Sequence, residues 1–269
     1  MNKNIGVLGC GWLGLPLAQK LIEQGYKVKG TTTSSSKLEV LQNEGITPFE
    51  ISLSEIGIKG DIEEFLSNIE ILIINVPPKL RGKHTESFVE KMKFLVEEIK
   101  KSTVAYVIFV SSTAVYGNTE GEVSEDSPLE PATESGKQLV ECEKILRNEE
   151  SFKTTIIRFG GLIGPDRHPV TTLSGREHLS NGNHPINLIH LDDCIHMILT
   201  ILEQSYWGEV FNGVYPHHPK KQVYYFEEAQ KRGLPTPSYK TESSQKNGKV
   251  VLSKNFLDKN QSFTTPIIS

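Results

Sequence analysis

Three hydroxyl residues in a row, Ser111, Ser112 and Thr113, follow an apolar run at residues 104–110, and Lys137 follows in an amphipathic stretch that opens at Thr133. Hydroxyls at the end of a buried strand place side-chain donors at the rim of a sheet, where open α/β folds bind ligands. Lys137 is expected to point back toward that rim, with Thr133 four residues before it and Tyr116 in the intervening turn. What Thr133 can do decides the chemistry.

The second reactive cluster is at the start of the chain. Residues 4–8 read as a short apolar strand running into Gly9-Cys10-Gly11-Trp12-Leu13-Gly14, after which Leu13, Leu17 and Leu21 recur a turn apart. Strand, GxGxxG and helix in that order suit a dinucleotide: the turn is tight, the backbone approaches a pyrophosphate, and the helix N-terminus stabilises its charge. Pro16 fits the first helical turn and Gly25 the C-terminal cap. A second strand, residues 26–30, should end near the adenosine ribose, where NAD-selective sites offer a carboxylate. This chain offers Thr31, Thr32, Thr33, three serines and Lys37, with Lys29 nearby, so a 2′-phosphate meets donors instead of repulsion. NADP is expected over NAD.

Further strands are predicted at residues 46–51, 69–76, 104–110, 154–159 and 186–190, with helices between most of them. The clearest helix covers residues 85–101, with Phe88, Met92, Leu95, Val96 and Ile99 on one face. The alternation predicts an α/β fold with a doubly wound, parallel Rossmann sheet. The strand at 69–76 ends in Asn75, Val76 and Pro77, expected beside the cofactor. The basic loop after them, with Lys79, Arg81, Lys83 and His84, either covers the cofactor, holds an anionic substrate or is simply solvated. Composition shifts after Gly164. Residues 1–164 are thus expected to form the nucleotide-binding domain and 165–269 a small C-terminal substrate lobe, with 186–204 returning to the Rossmann sheet.

The bulk numbers narrow the class. A chain of 269 residues with 37% hydrophobic and 23% charged residues suits an ordinary globular protein, and a net charge of -4 does not suggest a nucleic-acid binder. The apolar runs are strand-sized and far short of the roughly 18 residues of a membrane span. Met1 leads into a strand within a few residues, leaving no room for a signal peptide. Three scattered cysteines, Cys10, Cys142 and Cys194, argue for a reducing cytoplasm and against a disulfide framework. Cys10 is read as a small residue tolerated beside the loop backbone. The eight histidines form no metal-ligand spacing.

Several separated motifs then point one way: VSSTAVYG at 110–117, EDSPLEP at 125–131, RFGGLIGP at 158–165 and NLIHLDDC at 187–194. In order, and with the glycine loop, they resemble the extended short-chain dehydrogenase/reductases, the NAD(P)-dependent epimerase/dehydratase-like proteins. That resemblance implies that Ser112 hydrogen-bonds the reacting oxygen and that Lys137 binds the nicotinamide ribose. In the family, the lysine also lowers the pKa of a tyrosine four residues earlier, which transfers the proton. Here Thr133 holds the tyrosine's place, and an aliphatic hydroxyl lacks a phenol's pKa near 10 and its reach. The shorter GxGxxG, in place of GxxGxxG, looks like an atypical subgroup, and the lobe looks short for a nucleotide-sugar.

Two functions compete. One is an NADP-dependent oxidoreductase or epimerase on a sugar nucleotide or other small carbonyl compound, with Tyr116, His84, His168 or a water held by Thr133 and Ser112 as proton donor. The other is a catalytically degraded NADP-binding regulator or scaffold. A β-hydroxyacid dehydrogenase is discounted, because the last third lacks a long helical domain. Helices at 85–101 and 133–149 resemble the pair that builds the family's four-helix interface, which implies a homodimer.

Overall fold

The computed structural model describes residues 4–78, 86–241 and 247–267. Its centre is a seven-stranded sheet in the spatial order Val210–Gly213, Lys153–Phe159, Tyr106–Ser112, Ile71–Ile74, Asn4–Leu8, Lys27–Thr32 and Thr47–Glu50. Every neighbouring pair is parallel. Each strand sends alternate side chains to opposite faces. Val107 and Phe109 enter the core beneath the helices Phe88–Lys100 and Glu134–Asn148, while Ile108 enters the opposite core, beneath Gly14–Glu23 and Leu191–Gln204. Two apolar layers on one sheet make the fold the doubly wound α/β arrangement expected from the alternating elements.

The strands Asn4–Leu8 and Tyr106–Ser112 fall close to the predicted positions. Residues 186–204 behave differently from expectation. Leu188–His190 pairs with Gly161–Ile163 in a separate two-stranded sheet, and only the helix Leu191–Gln204 returns to the main sheet's face. Gly160 makes the switch: its N–H donates to Gly213 O at 3.0 Å, whereas the next N–H, of Gly161, donates to Asn187 O at 2.8 Å. One continuous run thus changes neighbours between two residues.

The edge of the main sheet is instead completed by Val210–Gly213, inside the part of the chain expected to belong to the lobe. The helix Lys221–Lys231 follows in that same stretch, between Pro219 and Pro235. Its buried Tyr224, Tyr225 and Ala229 meet Ile163, Val170, Ile186 and Leu188 in a third, smaller core. This third core packs around the separate two-stranded sheet Gly161–Ile163 and Leu188–His190, outside the main sheet.

Candidate functional site

A cleft of about 820 Å³ runs along the carboxyl ends of the central strands. It is lined in turn by Ile51–Leu53 beyond the first edge strand, Thr31–Thr33 with Lys37, Gly9–Leu13, Asn75–Pro78, and Val110–Ser112. Phe88 and Lys91 of the helix Phe88–Lys100, with Glu86 just before it, add a wall; Leu139, Leu162 and Arg167 close the far side. From the strand Lys27–Thr32 to the strand Tyr106–Ser112 is three steps across the sheet, roughly 14 Å at the usual strand spacing. A dinucleotide laid across the strands has that kind of reach.

The glycine loop is held by its neighbours. Gly9 has φ of 104°, and its N–H donates to Thr31 Oγ1 at 2.9 Å. Cys10 N–H donates to Thr31 O at 2.8 Å, and the Asn75 side-chain amide donates to Gly9 O at 3.1 Å. A Cβ on Gly14 would lie 2.1 Å from Gly9 O, so only glycine lets the helix start against the loop. A Cβ on Gly11 would meet nothing within 4 Å, which leaves that backbone open to the cleft. The helix Gly14–Glu23 has no side-chain cap and no acidic residue in its first turn. Leu15 and Leu17 N–H donate to Gly11 O and Leu13 O, and Pro16 has no N–H, so what this helix start offers a diphosphate is chiefly its positive dipole end. Cys10 is a packing residue: burial pushes its thiol up to about 12, and Sγ bonds Val7 O at 3.7 Å.

At the ribose end the expected residues divide. Thr31 is buried, and Thr32 Oγ1 accepts from Ser34 N–H at 3.2 Å, so both support the chain. Thr33 and Lys37 are exposed on the cleft wall. Lys29 is not available to a ligand, because its ammonium is bound at 3.0 Å to Ser67 O and at 2.8 Å to Ser67 Oγ, at the end of the helix Ile62–Leu66. Asn75, Val76 and Pro77 do line the cleft. Lys79, Arg81, Lys83 and His84 lie outside the described residues.

At the other end Ser112 lines the cleft, and its Oγ accepts from Ala114 N–H at 3.2 Å. Ser111 points inward and donates to Glu143 Oε1 at 2.5 Å. Glu143 and Arg158 form a buried pair, with Arg158 Nη2 and Glu143 Oε2 2.7 Å apart. Arg158 Nη1 donates to Tyr116 Oη at 2.9 Å, which donates to Asn212 Oδ1 at 2.8 Å. Tyr116 is therefore corrected from proton donor to core residue: it is fully buried, with both sides of its hydroxyl engaged, and burial raises its pKa. His168 is corrected likewise. It is buried, its Nδ1 accepts from Val170 N–H at 3.2 Å, and Nε2 lies 2.9 Å from Tyr224 Oη; burial lowers its pKa to about 4.

Thr133 and Lys137 are not among the residues that line the cleft. Thr133 is the N-cap of the helix Glu134–Asn148, with Oγ1 accepting from Gly136 N–H at 3.1 Å, and Lys137 is exposed. The same helix turns Leu139 toward the cleft instead. The sequence reading missed the Glu143–Arg158 pair, although each is a charge at a position where the apolar pattern of its element calls for a core residue. It also missed Glu86 and Lys91, which are joined at 2.5 Å and carry no such signal.

Comparison with known proteins agrees with this geometry. A sequence profile described as NAD(P)H-binding matches residues 9–203. Protein YeeZ of Escherichia coli K12 is 32% identical over 250 residues, covering 93% of this chain and 91% of YeeZ. A UDP-glucose 4-epimerase of Thermotoga maritima, solved with UDP-glucose, superposes with a TM-score of 0.80 at 20% identity over 98% of this chain and 94% of its own. A UDP-glucuronic acid 4-epimerase of Bacillus cereus, solved with NAD, gives 0.79 at 18% identity, over 98% and 92%. The expected likeness to epimerase/dehydratase-type proteins is borne out.

Proposed function

The chain belongs to the NAD(P)H-binding family, and from that premise we propose that it is an NADP-dependent oxidoreductase or epimerase acting on a small carbonyl compound, with sugar nucleotides as the first class to try. The observation that carries the NADP preference is the acid-free end of the strand Lys27–Thr32. Thr33 and Lys37 line the cleft there, and no carboxylate occurs between Tyr26 and Lys37. A 2′-phosphate would find donors and a positive charge where a carboxylate would repel it.

In this reading Gly11, the uncapped turn at Gly14 and the Asn75-braced loop bind the diphosphate. Lys37 and Thr33 bind the 2′-phosphate. When bound, the nicotinamide supplies hydride-transfer chemistry. Ser112 holds the substrate oxygen by a hydrogen bond, and a water on Ser112 exchanges the proton, because among the described residues no phenol lines the cleft. Phe88, Leu139 and Leu162 keep that end apolar and limit bulk water.

The experiment is a turnover assay following NADPH absorbance over a panel of nucleotide-sugars and small aldehydes and ketones, with interconversion of sugar epimers read by chromatography. Turnover that falls about a hundredfold in Ser112→Ala, with NADPH affinity kept, is expected for a hydroxyl that acts on the reacting oxygen. Equal turnover in Ser112→Ala and the parent protein would overturn the assignment. The second reading, a binding protein without catalysis, is favoured by one observation, that Thr133 and Lys137 are not among the residues lining the cleft. NADPH binding with no reaction across the panel would favour it.

A further inference from the structure

One cation in the cleft comes from the lobe, not from the nucleotide-binding half. Arg167 closes a tight turn with Gly164: Gly164 N–H donates to Arg167 O at 2.9 Å, and Arg167 N–H to Gly164 O at 3.2 Å. The turn is pressed onto the glycine loop, since a Cβ on Gly164 would lie 2.8 Å from Trp12 Cζ2. The Arg167 guanidinium carbon lies 5.0 Å from the Trp12 ring centroid, within range of a cation–π contact. Trp12 directly follows Gly11, the residue whose backbone is open to the cleft.

Among the described residues the other cations lining the cleft are accounted for. Lys91 is paired with Glu86 at 2.5 Å, and Lys37 lies beyond the strand Lys27–Thr32 at the ribose end. Arg167 is exposed, lines the cleft, and among the described residues makes no hydrogen bond or ion pair through its guanidinium. A planar fork of donors, oriented on an indole and left unpaired beside a phosphate-binding loop, suits bidentate recognition of a phosphate.

We propose that Arg167 is a phosphate ligand supplied by the lobe: it closes over the diphosphate of the bound dinucleotide from the side opposite the helix N-terminus, with Trp12 holding the guanidinium in place. This rests on the dinucleotide reading above. The consequence is that cofactor occupancy and lobe position are coupled through one side chain, so the substrate side of the cleft is completed when the dinucleotide is bound.

The test is calorimetric titration of the full chain with NADPH and with adenosine 2′-monophosphate, which carries the ribose phosphate but no diphosphate. Arg167→Ala is expected to weaken NADPH about tenfold to a hundredfold, the size of a lost charge-assisted pair, and to leave adenosine 2′-monophosphate within about twofold. Arg167→Lys is expected to fall between, keeping the charge without the fork. NADPH affinity unchanged in Arg167→Ala would overturn the inference and make the guanidinium available to a second, anionic ligand. Equal weakening of both ligands would also overturn it, as a general distortion of the cleft; thermal melts of the variants show such distortion directly. If the parent protein binds neither ligand, the dinucleotide reading itself fails and this inference falls with it.

Discussion

Gly11→Ala is expected to leave the thermal midpoint of the ligand-free protein unchanged while weakening NADPH binding about a hundredfold, equivalent to roughly 2.7 kcal/mol. The added methyl has nothing within 4 Å in the folded chain, so the fold has no reason to notice it. It stands, however, at the open backbone of the loop, which a diphosphate must approach closely. Gly14→Ala makes the contrast. Its Cβ would lie 2.1 Å from Gly9 O and 3.0 Å from Asn75 Nδ2, so the loop itself must move, and both stability and binding are expected to fall. Fluorescence titration with NADPH beside melts of the free proteins separates the two effects. NADPH affinity within threefold of the parent in Gly11→Ala would rule out diphosphate binding at this loop.

The buried pair gives the largest expected effect on stability. Arg158→Met would leave the Glu143 carboxylate inside the protein with Ser111 as its remaining partner, and would remove one of two partners from Tyr116 Oη. Stranding a buried charge in this way costs about 3–5 kcal/mol. Replacing both residues by methionine is expected to cost much less than the two single changes added together, because no charge is then left unpaired. Urea denaturation of the four proteins measures it. A loss under about 1 kcal/mol in Arg158→Met would mean that the pair is solvated rather than buried. Since Ser111 precedes Ser112, this pair also anchors the strand end that carries the candidate reactive hydroxyl.

The parts of this site that lie in one local stretch could be read from the sequence. Gly9, Gly11 and Gly14 announce a loop because their spacing answers to a backbone constraint within six residues, and Ser112 follows from the end of an apolar strand. Side-chain direction across tertiary distance could not be read so. Tyr116 sits in a short 3-10 turn that buries it, and nothing in VYG says whether the ring faces cleft or core. Lys29 shares a strand face with Thr31, two residues on, yet its length lets it reach Ser67 on another element. Val210–Gly213 offers only four residues of pattern, too few to distinguish a sheet edge from a loop, and its place is set by pairing with Lys153–Phe159. The charges of Arg158 and Glu143 break two apolar patterns, and a charge at a core position calls for a buried partner of opposite sign.

The claim that this cleft holds NADP is tested most directly by titrating one preparation with NADPH and, separately, with NADH in a calorimeter. Saturable binding of NADPH with one site per chain, about tenfold tighter than NADH and losing that margin in Lys37→Ala, is the expected result for a single exposed charge on the 2′-phosphate. Absence of any binding heat with either nucleotide, together with unchanged thermal midpoints in their presence, would contradict it.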